Sequence, residues 1–303
     1  MDENFLKYPK IFQVGHDENK DIFKSPDDEI VIQEKVDGAN FRFIIKDGEI
    51  VFGSRGTQGI KEEGQWKRCM AFIKENINKE IFESENKYCE NYIFYGECMI
   101  KHTIDYDWGK VPPFLGFDIY SIKDQKFVDW LDVYRLYEII HLPVVPHIKI
   151  CKSNELLKWD DNIVPQSQYY DGQAEGLVFK NYDKQLMAKW VVTKFKEDNK
   201  KVFGGSKRQA KNDNEMLIAI YCTNRRIDKC ILALVNEGHK LDMPLMHHLP
   251  KKVYSDIMEE HWREVCFSHW SVNFKDILKL ISQRCLAVLK NAIANNAIQR
   301  IKE

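Results

Sequence analysis

Through the first two thirds of the chain, short apolar runs alternate with polar positions and stop at turn residues, a pattern that predicts strands. Residues 29–34 and 41–45 read this way. Lys46-Asp47-Gly48-Glu49 then predicts a tight hairpin, because Asp-Gly suits a two-residue turn. The second arm, residues 50–53, brings Ser54-Arg55-Gly56 back beside the start of the first. Further strands are predicted over 92–95, 114–120, 177–179 and 186–192, and a loop between two of them holds Lys101, His102 and Asp105. Helical spacing occurs at 65–82, through Trp66, Met70, Ile73 and Ile77, and again at 129–140.

The character changes near residue 200. Lys194, Lys196, Lys200, Lys201, Lys207, Arg208 and Lys211 crowd a hydrophilic stretch with Gly204-Gly205 in its middle, which predicts a basic hinge. Beyond it the period is helical. One helix is predicted over 212–238, capped by Asn212-Asp213-Asn214, and a second over 250–265. A third, over 273–301, carries Phe274, Ile277, Ile281, Cys285 and Leu289 along one side. The expected organisation is an α+β domain built on antiparallel sheets, residues 1–205, followed by a smaller all-α domain, residues 206–303.

Composition narrows the possible functions. The 303 residues, 44% of them apolar, can bury two cores. A net charge of −1 argues against binding nucleic acid through overall positive charge and leaves that task to local patches. Eight cysteines form no C-x-x-C pair, so zinc ligation and a disulfide framework are not expected. No apolar run approaches the roughly 20 residues needed to span a bilayer, and the N-terminus lacks a leader pattern. The expectation is a soluble, cytoplasmic monomer with no membrane partner.

The candidate chemistry begins at Glu34-Lys35-Val36-Asp37-Gly38-Ala39-Asn40. A lysine attacks phosphorus only as the neutral amine, so Lys35 is expected to have a lowered pKa, from burial or from a second cation such as Lys189. Glu97 and Glu175 are the carboxylates expected near a magnesium ion, which keeps most of its waters and needs only one or two protein ligands. Phe117 offers a ring for a purine, and Arg55 a planar fork for ribose or phosphate. Each residue alone has a plainer reading, as a surface lysine, a strand-end glutamate, a core ring or a solvated arginine. It is their order along the chain that decides.

That order is Lys35-Val36-Asp37-Gly38, Ser54-Arg55-Gly56, Phe94-Tyr95-Gly96-Glu97, Gly116-Phe117-Asp118-Ile119 and Glu175-Gly176 to Lys180, then Lys189. It resembles the covalent nucleotidyltransferases, and among them the ATP-dependent RNA ligases of the phage RNA ligase 2-like, nick-sealing branch. Tyr221-Cys222-Thr223-Asn224-Arg225-Arg226-Ile227 is similar to a stretch of that branch's C-terminal domain, which helps recognise the broken duplex. The resemblance implies a nucleotidyltransferase fold and ATP as cofactor, taken up as covalent AMP on Lys35 with magnesium or manganese. It further implies catalytic roles for Glu97, Glu175 and Lys189, and nucleotide contacts from Glu34, Asp37, Gly38, Asn40, Arg55, Phe117, Lys180 and Lys194. The implied partner is RNA or a nicked RNA-containing duplex. The family's last motif is a lysine pair separated by one residue. Here Lys189-Trp190-Val191 keeps only the first, so Lys194 or Lys196 would supply the second cation. The rival classes are a capping guanylyltransferase or a DNA ligase, whose tails normally fold as β-barrels, and an inert nucleic-acid-binding module.

Overall fold

The computed structural model describes residues 5–55, 57–83, 88–100, 104–156, 161–192, 212–267 and 270–302. It divides into two compact units, Met1–Thr193 and Lys194–Glu303. The first is α+β and the second helical, as expected. The basic stretch 194–211, which also holds the expected boundary at 205, lies outside the described residues. No described helix is long and apolar enough to cross a membrane.

Among the described residues of the first unit, ten strands form two five-stranded sheets. One contains β1 (Phe12–Gln13), β2 (Glu29–Glu34), β8 (His147–Lys152), β9 (Gly176–Asn181) and β10 (Leu186–Val191), in the order β1-β10-β9-β2-β8. The other contains β3 (Ala39–Lys46), β4 (Glu49–Ser54), β5 (Tyr92–Cys98), β6 (Phe114–Ser121) and β7 (Lys126–Phe127), in the order β4-β3-β5-β6-β7. Pairing is antiparallel throughout except for β1 beside β10. The predicted hairpin joins β3 to β4, with Asp47 at φ 51° and Gly48 at φ 76°, the left-handed pair that a two-residue turn requires. Its register sets Phe41 opposite Ser54.

Alternation along β3 gives the second sheet two different faces. Phe41, Phe43 and Ile45 pack with residues of α1 (Lys67–Asn76) and α3 (Trp130–Ile139), among them Met70, Ile73, Val133 and Leu136. Asn40, Arg42 and Ile44 point the other way, toward the first sheet. Between the sheets Lys180 of β9 donates to Asp118 of β6 at 2.7 Å and to the Phe117 carbonyl at 2.6 Å. The hydroxyls of Tyr8 and Tyr182 donate to the same carboxylate. Lys180 and Asp118 have side-chain exposures of 1% and 0%.

Two predicted helices are shorter than their periodicity suggests. The 65–82 stretch gives α1 and then the single turn α2 (Glu80–Glu83), because Ile77 leaves helical geometry at ψ 134° and Asn78 caps the next turn through the Glu80 N–H. In the helical unit, 212–238 divides into α4 (Asp213–Tyr221) and α5 (Asn224–Asn236). Thr223 causes the break, its hydroxyl accepting from the Arg226 N–H as an N-cap. Helices α6 (Leu249–Phe267), irregular at His261, and α7 (Phe274–Lys302) follow. Ile277, Ile281, Cys285 and Leu289 enter its core as predicted, whereas Phe274, in the first turn of α7, is 44% exposed.

Removing one partner of a buried ion pair leaves the other charge without compensation. Lys180→Met is therefore expected to cost about 3–5 kcal/mol. Urea unfolding measures this, and adding Asp118→Leu should cost much less in that background than in the wild type.

Candidate active site

Lys35 lies one residue beyond β2, and its N–H donates to the Gly176 carbonyl at 2.9 Å, extending the pairing with β9. Glu34 stands opposite Leu177, and Gln33 opposite Val178. Because side chains alternate, Val31, Gln33 and Lys35 share one face with Gly176, Val178 and Lys180 of β9 and with Met187, Lys189 and Val191 of β10. Lys180 crosses to Asp118 from this face, so it is the face that looks into the cleft between the sheets.

There the Lys35 ammonium donates to Glu175 Oε2 at 2.6 Å. Glu97, half-buried at the end of β5, accepts from the Gly38 N–H at 3.1 Å and sits in register opposite Asn40. Gly38 is needed for close approach, since a Cβ there would lie 2.5 Å from the Cys98 carbonyl oxygen. Asp37 is buried, with its N–H donating to Tyr106 Oη at 2.9 Å and its Oδ2 accepting from the Ile104 N–H at 3.3 Å. Tyr106 therefore locks the segment that follows the lysine, a role with no sequence signal.

The electrostatics of Lys35 are the reverse of the sequence-based expectation. Burial pulls its pKa down, but Glu175, Asp37 and Glu97 outweigh burial and hold it above the ordinary lysine value. Burial also pushes Glu97 up to about 7, opposed by Lys35 and the Gly38 N–H and reinforced by Asp37 and Glu175. Lys35 thus faces the carboxylates of Glu175, Asp37 and Glu97. Among the described residues no three His, Cys, Asp or Glu side chains form a metal cage. Glu97 and Glu175 nevertheless suit a hydrated magnesium or manganese ion, which needs few protein ligands.

Other expected site residues are placed less uniformly. Lys189 is on the cleft face, opposite Val178. The Phe117 ring packs edge-on against Tyr8, with ring centres 4.9 Å apart. Arg55 is exposed at the end of β4, where Arg42 donates to the Ser54 and Arg55 carbonyls. Arg42 was missed because an arginine between Phe41 and Phe43 reads as a solvent-facing strand position.

Two expected nucleotide contacts are engaged within the protein. Glu34 points away from the cleft, and its carboxylate accepts from Ser167 Oγ at 2.6 Å and the Gln168 N–H at 3.5 Å, anchoring a loop. Lys180 is committed to Asp118 in the interior and offers no exposed ammonium. Gly56, Lys101, His102, Lys194 and Lys196 lie outside the described residues.

Comparison with known proteins adds to this geometry. A family model described as RNA ligase matches residues 28–191. A stretch of 182 residues, 59% of the chain, is 31% identical to Protein Early 65 kDa of Autographa californica nuclear polyhedrosis virus and spans 30% of that protein. Among solved structures, Naegleria gruberi RNA ligase with PPi matches with a TM-score of 0.51 and 20% identity, over 65% of this chain and 59% of that one. A mutant of the same ligase with ATP and Mn matches with a TM-score of 0.50 and 20% identity, over the same shares. These structural matches show a shared fold.

The Glu97 shift has a consequence for stability. From its ordinary value of 4.5 to about 7, the folded protein keeps a proton that the unfolded chain releases, so this group lowers stability as pH rises through that window. Glu97→Gln should therefore be more stable than wild type above pH 7, with the difference vanishing below about pH 4.5. Urea midpoints measured across this range test the sign.

Proposed function

This chain belongs to the RNA ligase family, and we propose that it joins RNA 3′-hydroxyl and 5′-phosphate ends, at nicks in RNA-containing duplexes, using ATP and a divalent metal. The observation that carries the reading is the Lys35–Glu175 contact at 2.6 Å, with Glu97 and Asp37 also acting on the same ammonium. The order of the motifs supports it, as do the relatives solved with PPi, with ATP and Mn and with AMP and Mn. The chain spans 59% of the length of the first Naegleria structure and 30% of the viral relative, so it need not share every activity of either.

In the first step the neutral Lys35 amine attacks the α-phosphorus of ATP, a P–N bond forms and pyrophosphate leaves. An oxygen of the RNA 5′-phosphate then attacks the same phosphorus and breaks the P–N bond, which caps the end with AMP. Finally the 3′-hydroxyl attacks the capped 5′-phosphorus and AMP departs. A bound divalent ion supplies charge neutralisation for the phosphates, and Glu97 and Glu175 would hold it.

Glu175 and Glu97 have two tasks in this scheme. Without a cation they keep Lys35 protonated and unreactive. Engaged by one, they relax that hold, so the amine can lose its proton to solvent. Lys189, on the same face, supplies positive charge toward the phosphates. Phe117 offers the base a ring, and Arg55 lies where it can reach the ribose or the RNA. The basic stretch 194–211 and the helical unit are assigned to backbone contacts whose strength falls with salt.

Lys35→Ala is expected to abolish sealing of a 5′-phosphorylated nick with ATP while retaining sealing of a nick already carrying 5′-AMP. Gel analysis of both substrates tests this. Equal loss on both would remove Lys35 from the role of nucleophile.

A further inference from the structure

Arg42 is a buried cation that the chemistry above leaves unused. It is 2% exposed, and its Nε has no hydrogen-bond partner among the described residues. Burial pulls its pKa below the ordinary arginine value with only Tyr95 opposing, so no described carboxylate compensates the charge. A guanidinium withdrawn from water without a counter-ion is expensive, and a neutral side chain would fill the same space at lower cost.

What Arg42 does hold is a turn. Its Nη1 donates to the Ser54 carbonyl and, at 3.3 Å, to the Arg55 carbonyl. The turn also closes on itself, the Ser54 N–H donating to the Thr57 carbonyl at 2.9 Å and the Thr57 N–H to Ser54 Oγ at 3.2 Å. The guanidinium lies over the Phe5 ring, 4.5 Å from its centre, and that ring presses on Gly53, where a Cβ would come within 2.9 Å of it. Ser54 is buried and Arg55 is exposed, so the turn is fixed at its base and offers one cation to solvent. β4 is the edge strand of its sheet, separated from β5 and Glu97 by β3. Arg55 thus stands at the side of the cleft, on the path of a polynucleotide strand that extends out of it.

We propose that Arg42 is a positioning residue, which by gripping the Ser54 and Arg55 carbonyls presents the Arg55 guanidinium to a backbone phosphate of the RNA. The assignment rests on the RNA joining proposed above. A charged donor suits the task, because it binds carbonyl oxygens more strongly than a neutral one. Left without a carboxylate, it also adds positive potential beneath a turn that is to meet a phosphate.

The test uses the full chain and an RNA duplex whose nick already carries 5′-AMP, and compares wild type, Arg42→Met, Arg42→Lys, Arg55→Ala and the Arg42→Met/Arg55→Ala double variant. Arg42→Met should raise KM for the nick roughly tenfold, and Arg42→Lys should recover most of that loss. In the Arg55→Ala background Arg42→Met should add less than about twofold. Kd for the same duplex, measured without metal over a range of salt, gives a readout that support of the fold alone would not move. The slope of log Kd against log salt should fall by about one in Arg42→Met, as in Arg55→Ala, because one phosphate contact is gone. Arg42→Met with the wild-type slope would overturn the proposal, and so would losses that multiply with those of Arg55→Ala. Either result leaves the ligase reading standing. Wild type that forms no adduct with ATP and does not seal the nick would overturn that reading and the role of Arg42 with it.

Discussion

Lys180 and Asp118 join the two sheets in the buried interior, and the arrangement of the cleft follows from that tie. Both side chains are withdrawn from water, and two tyrosine hydroxyls complete the carboxylate's shell. A pair so enclosed tolerates little displacement, because either charge without the other would be expensive to bury. Since side chains alternate, Lys180 pointing inward means that Val178 and Gly176 point inward too. Through the β2–β9 register, Gln33 and Lys35 then face the cleft and Glu34 faces away. The interior lysine thus fixes the face on which Lys35 lies.

Charge at the mouth of the cleft follows a different logic. Three carboxylates act on Lys35 and raise its pKa, while burial raises that of Glu97. In the proposed reaction, a site arranged in this way is quiet until positive charge arrives with the nucleotide. The sequence-based expectation was a second lysine lowering the pKa, whereas the neighbours that act on Lys35 in this structure are carboxylates that raise it. Spacing along the chain identified the charged residues but could not say which would meet. Lys35 and Glu175 are 140 positions apart, and only the β2–β9 pairing brings them together.

Much of the fold was legible because its signals are local. Asp47-Gly48 marked a hairpin that both φ angles support, and the apolar period marked α3 and the core stripe of α7. The break at Thr223 was less legible, since a capping threonine inside an apolar period looks like one polar position in a continuous helix. The face of each strand residue was not legible at all. Glu34 and Lys180 sit inside motifs and were expected at the nucleotide, yet one anchors a loop and the other the core. Gln33 and Tyr106 belong to no motif and became visible through an amide nitrogen that has no partner among the described residues and through a hydroxyl that accepts from the Asp37 N–H.

The central proposal is that Lys35 is the nucleophile of this cleft, its amine forming a P–N bond to the α-phosphorus of ATP. The most direct measurement incubates the protein with magnesium and ATP labelled at the α-phosphate, digests it and locates the label by peptide mass spectrometry. The account predicts a single AMP on the peptide containing Lys35, lost in acid as a P–N bond should be. Label on a different residue, or label from GTP and none from ATP, would contradict it.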